Sequence, residues 1–83
     1  MNKILVTFYV PTIDEEYNLF IPINLKLSDA LELIQQAIFD LSGEYYVINP
    51  NAVLIDSLEG KIINSNNVVK FSGLRNGSKV MLI

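Results

Sequence analysis

The chain has 83 residues, no cysteine, no histidine and a formal net charge of −3, and 51% of its residues are hydrophobic. That length allows one domain, residues 1–83, with a modest core. The missing residue types exclude disulfides, Ser-His-Asp and Cys-His catalytic arrangements and the common zinc sites.

The six basic residues (Lys3, Lys26, Lys61, Lys70, Arg75 and Lys79) are scattered, which argues against a nucleic-acid partner and against an anionic membrane surface. No apolar run approaches the ~20 residues that cross a bilayer, so no direct membrane insertion is expected. Met1 to Val6 reads as a strand and lacks the apolar core and small-residue cleavage site of a signal peptide. A cysteine-free chain of this kind fits the reducing cytoplasm, and its many asparagines and isoleucines fit a low-GC bacterial genome.

Lys3 to Val10 alternates, with Ile4, Val6, Phe8 and Val10 on one face and Leu5, Thr7 and Tyr9 on the other. Pro11 stops this strand by removing a ladder donor. Asp14-Glu15-Glu16 reads as a polar turn, and Tyr17 to Ile23 as a second strand that makes a hairpin with the first. Pro22 suits an edge strand, where one missing N–H costs little.

Ser28 has the chemistry of an N-cap, and Asp29 and Glu32 suit the positive helix end. Ala30, Ile34, Ala37, Ile38 and Leu41 follow at helical spacing. Gly43 supplies the left-handed stop, so the spacing predicts a helix from Asp29 to Ser42. Leu33 and Phe39 border its apolar stripe.

The second half is less regular. Glu44 to Asn51 reads as extended or loop with an Asn49-Pro50-Asn51 turn. Ala52 to Asp56 is a third strand and Lys61 to Ile63 a very short fourth. Val68 to Leu74 holds a turn that tucks Val69 and Leu74 inward. Asn76-Gly77 marks another turn, and Lys79 to Ile83 is the fifth strand.

This order is that of an α+β β-grasp domain. Its mixed sheet has strand order second-first-fifth-third, with one helix packed across it. The predicted core is Ile4, Val6, Phe8, Leu19, Ile21, Ile34, Ile38, Leu41, Val53, Ile55, Leu74, Val80 and Leu82.

The order of elements, the Gly60-Lys61 turn and the segment Leu74 to Ile83 resemble ubiquitin-like proteins. Tyr17-Asn18-Leu19-Phe20-Ile21-Pro22, followed by Leu27 and a helix, is similar to the YukD/EsaB-like bacterial family, stand-alone domains that accompany type VII (WXG100) secretion systems. The resemblance implies a cytoplasmic accessory or regulatory component of a secretion machine, and it brings no catalytic residues with it. Many ubiquitin-like proteins are conjugated or carry sulfur through a C-terminal Gly-Gly. This sequence reads Val80-Met81-Leu82-Ile83 there, which disfavours a modifier or sulfur carrier.

Candidate sites are few. Asp14-Glu15-Glu16 lacks the alternating oxygen ligands and the glycine of a calcium loop and reads as a solvated turn. Asp56 and Glu59 beside Gly60 read the same way. No cofactor is implied, and an enzyme is not expected.

The face of the sheet turned away from the helix carries the functional expectation. Leu5, Tyr9, Phe20, Leu54, Met81 and Ile83 are predicted to form one contiguous apolar patch there, where a sheet of this kind is ordinarily polar. In the ubiquitin-like superfamily that side is a common docking surface. The patch therefore reads as a protein-interaction site, with a structural homodimer through the same face as the alternative. A third reading has residues 44–51 fold over the face and turn it into core.

Overall fold

In the computed structural model, residues 2–83 are described. Two strands, β1 (Lys3–Val10) and β2 (Glu15–Pro22), lead into a helix, α1 (Leu27–Leu41). Strand β3 (Leu54–Asp56), a 3-10 turn at Val69–Phe71 and strand β4 (Ser78–Leu82) complete the chain. The sheet order is β2-β1-β4-β3, with β1 and β4 parallel at the centre and both outer pairs antiparallel. This is the β-grasp arrangement.

Among the described residues it has four strands rather than five. Lys61 to Ile63 forms no strand, because only Ile62 makes a bridge, to Ile55. Asp56 and Lys61 are joined instead by a tight turn closed by the Lys61 carbonyl and the Asp56 N–H at 2.9 Å.

The hairpin turn comes earlier than the acidic triplet suggests. Ile13 N–H bonds the Val10 carbonyl at 3.2 Å and Asp14 N–H bonds the Pro11 carbonyl at 3.2 Å. Asp14, at φ 51°, completes the reversal, so Glu15 and Glu16 already belong to β2.

The helix begins two residues before the predicted start, and Ser28 does not cap it. The first free backbone donors are taken by a distant loop: Leu27 N–H bonds the Asn67 carbonyl at 2.8 Å and Ser28 N–H the Ser65 carbonyl at 2.9 Å. Those bonds satisfy groups that a capping side chain would otherwise serve. At the other end Gly43 N–H reaches the Asp40 carbonyl at 3.2 Å and Glu44 N–H reaches the Phe39 carbonyl at 2.8 Å. This is a Schellman motif, with Gly43 at φ 67° where a side chain is disfavoured.

The core lies between α1 and the inner face of the sheet. Val6, Phe8 and Val10 of β1, Ile21 of β2, and Val80 and Leu82 of β4 meet Leu27, Ala30, Leu31, Ile34 and Ile38 of the helix. Val69 and Leu74 pack in from the connection before β4.

Three residues of the predicted core are placed differently. Leu41, the last helical residue, is exposed, while Tyr46 joins the core beside the helix C-terminus, its N–H held by Ser42 Oγ at 2.9 Å. Val53 and Ile55 exchange roles with Leu54, which is wholly buried at 0% exposure. Leu54 stands opposite Leu82, whose inward direction is set by the parallel pairing of β4 with β1.

Candidate protein-interaction surface

The outer face is built by alternation. With Val6, Phe8 and Val10 pointing to the helix, Leu5, Thr7 and Tyr9 point away, and the register carries that phase to the neighbouring strands. Leu5 pairs with Phe20, Thr7 with Asn18 and with Lys79, and Tyr9 with Glu16 and with Met81. Met81 in turn pairs with Ile55. Val53 and Ile83 exchange backbone bonds at 2.9 and 3.0 Å, one step further along.

Two apolar islands result. Near the start of β1, Leu5 lies beside Phe20, which is 61% exposed. Near its end, Tyr9, Met81 and Ile55 form a row across three strands, with Val53 and Ile83 next to it, Ile83 being 50% exposed. A polar row separates the islands: Lys79, Thr7 and Asn18, with Thr7 Oγ1 donating to Asn18 Oδ1 at 2.7 Å. The structure thus brings Tyr9, Met81 and Ile83 to one end of the face and Leu5 and Phe20 to the other.

Leu54 is not part of the surface. It lies on the core side, and its outward place on β3 is filled by Ile55. Ile55 and Val53 do not stand out in the sequence, because Val53-Leu54-Ile55 is apolar throughout and alternation gives it no phase. The usable signal lies in β4, where Val80 and Leu82 must be inward and pairing then fixes β3.

Residues 44–51 do not lie across the outer face. They are bound to the helix, on the other side of the sheet. Gln35 Oε1 accepts bonds from the Tyr46 hydroxyl at 2.7 Å and from Asn49 N–H at 2.8 Å, and Gln35 Nε2 donates to the Asn49 carbonyl at 3.0 Å. Burial raises the pKa of Tyr46.

The acidic turns are occupied by local bonds. Asp14 Oδ1 accepts from the Tyr9 hydroxyl at 2.8 Å, and this bond is the main reason the pKa of Tyr9 is raised, with desolvation and the charges of Asp14 and Glu16 adding to it. Asp56 Oδ1 accepts from the N–H groups of Leu58 at 2.8 Å and Glu59 at 3.3 Å. Among the described residues no group of three or more carboxylates converges as a metal site, and no helix is long and apolar enough to cross a membrane.

No family model and no curated protein matches the chain. Solved structures match its fold along nearly its whole length. It is similar to the ubiquitin-like domain of the Mycobacterium tuberculosis type VII secretion system protein ECCD1, at 11% identity and a TM-score of 0.74, covering 100% of this chain and 99% of that one. A structure described as molecular mimicry of SUMO in the promotion of DNA repair matches at 18% identity and a TM-score of 0.72, covering 100% of this chain and 92% of that one. A chain of the toluene 4-monooxygenase HD complex matches at 7% identity and a TM-score of 0.73, covering 96% and 95%. At such identities the likeness is one of fold, and the fold is that of the ubiquitin-like domains.

Proposed function

We propose that this chain is a non-catalytic protein-interaction module, a cytoplasmic accessory or regulatory component of a type VII (WXG100) secretion system. It docks a protein partner through the outer face of its sheet. The observation that carries this reading is the row Tyr9-Met81-Ile55 with Ile83 beside it, apolar, partly exposed and left open by residues 44–51. Partly exposed apolar side chains gathered at one end of a small sheet, Ile83 the most open of them, favour contact with another protein.

The similarity to the ubiquitin-like domain of ECCD1 supports the secretion context, as do the residues that resemble the YukD/EsaB-like family. Leu5 and Phe20 form a second, smaller contact, with the Thr7-Asn18-Lys79 row between them as a polar register mark. The test is Met81→Asp against Phe20→Asp in binding to purified components of a type VII secretion system. Loss of binding with Met81→Asp, at nearly unchanged stability, supports the docking row. A wild-type dimer that Met81→Asp dissociates would instead make the same face a self-association surface.

A further inference from the structure

Strand β2 is an edge of the sheet, and its backbone is open along most of its length. Ile23 N–H donates to the Asn2 carbonyl at 3.0 Å, and the antiparallel register then turns the odd-numbered residues of β2 toward β1. The even-numbered residues present their backbone groups to the free side: Glu16, Asn18 and Phe20 each with an N–H and a carbonyl, Pro22 with a carbonyl alone. Among the described residues no bulge interrupts the register of β1 and β2, and Pro22 with the charges of Glu15 and Glu16 is the protection this edge has, gathered at its two ends.

An apolar groove of about 250 Å3 runs beside this edge, between β2 and α1. Leu19, Ile21, Ala30, Leu33 and Ala37 line it, and Lys3 is its one charged lining residue. Leu33 is 55% exposed, large for a leucine on a helix face that borders the core.

The charges identify the occupant. Asp14, Glu15 and Glu16 stand at one end of β2, and Lys3 stands beside Pro22 at the other. An added strand running antiparallel therefore brings its favourable contact to Lys3 if it carries carboxylates ahead of an apolar stretch. Glu15-Glu16-Tyr17-Asn18-Leu19-Phe20-Ile21 is such a strand. Parallel addition of the same strand would stack like charges on like.

We propose that β2 pairs antiparallel with β2 of a second copy of this chain, with Asn18 on the two-fold axis, to give one continuous sheet. In that register Glu16 faces Phe20 and Asn18 faces Asn18, so every outward N–H and carbonyl of these three residues is used and each copy donates three bonds. Moving the axis to Leu19 keeps three donated bonds per copy but sets Pro22 against Glu16 and leaves the Glu16 carbonyl without a donor, and moving it to Phe20 sets Pro22 against Asn18 and leaves two donated bonds per copy. Tyr17 of one copy then lies opposite Leu19 of the other on the helix side, and both are only half-buried in the single chain. The outer face stays free, so the dimer and the docking row coexist.

Sedimentation equilibrium from micromolar to millimolar chain, with amide hydrogen exchange followed by NMR, tests the pairing. The expected result is a dimer in which the Glu16, Asn18 and Phe20 amides gain protection as concentration rises. Asn18→Pro deletes two of the shared bonds without touching the ladder to β1, and is expected to weaken the dimer by roughly 30-fold. Lys3→Glu weakens it as well, and adding Glu15→Lys with Glu16→Lys to that variant restores it; this charge reversal reports even if Asn18→Pro folds poorly. A chain that stays monomeric at millimolar concentration overturns the proposal. So does a dimer that Met81→Asp dissociates and the β2 substitutions leave intact.

Discussion

The Tyr46 hydroxyl donates to Gln35 Oε1 at 2.7 Å, and both residues are 5% exposed. That bond ties residues 44–51 to the helix, and it leaves the far face of the sheet open. Gln35 is the one buried polar side chain among the described residues, and its amide serves three bonds at once.

Removing it is therefore costly. Gln35→Ala strands the Tyr46 hydroxyl and the Asn49 N–H, while the Asn49 carbonyl keeps the Ala52 N–H at 3.1 Å, an expected loss of about 2–3 kcal/mol. Tyr46→Phe deletes one bond and should cost about 1 kcal/mol. Urea unfolding of the two single variants and the double checks this, and the double variant should cost less than their sum.

The phase of β3 gives a second prediction. Leu54→Ala removes a wholly buried side chain and should cost about 2–5 kcal/mol, whereas Ile55→Ala, on the outer face, should cost well under half as much. Thermal or urea unfolding separates them. Equal losses would mean that the outer face of β3 is covered.

The same strand shows how far the sequence reaches. Alternation in β1 and β4 is legible because polar residues break it, at Thr7 and at Lys79, and the strand order follows from element order and handedness. Val53-Leu54-Ile55 has no polar residue to mark a face, so its phase is set by its partner β4, where Leu54 stands opposite Leu82, and cannot be read from the segment alone. The patch is legible in composition but not in shape: Thr7, Asn18 and Lys79 form a polar row only once three strands are in register. Tyr45 and Tyr46 are neighbours in sequence with opposite fates, decided by whether a hydroxyl finds Gln35.

Capping gives a third prediction. Ser28 lies inside the helix and makes no capping bond, while the Asn67 and Ser65 carbonyls hold the first free donors. Ser28→Ala should change stability by less than ~0.5 kcal/mol, against about 1 kcal/mol for a true N-cap. Chemical denaturation reads the difference.

A fourth concerns pH. The pKa of Tyr9 is raised from the ordinary tyrosine value of 10.0, first by its bond to Asp14. A group whose folded pKa is raised lends stability that is complete below the unfolded pKa and is lost as pH climbs through the folded one. Any contribution of Tyr9 is therefore lost only at alkaline pH, above 10.0. NMR titration of the ring should show the wild-type phenol ionising at higher pH than in Asp14→Asn.

The central proposal is that the row Tyr9-Met81-Ile55 docks a protein of a type VII secretion system. The most direct measurement is an NMR titration of labelled chain with the cytosolic part of a type VII secretion ATPase. The predicted result is amide shifts gathered at Tyr9, Ile55, Met81 and Ile83, abolished by Met81→Asp at a stability cost of no more than ~1 kcal/mol. Shifts confined to α1, or none with any component of that machine, would contradict it.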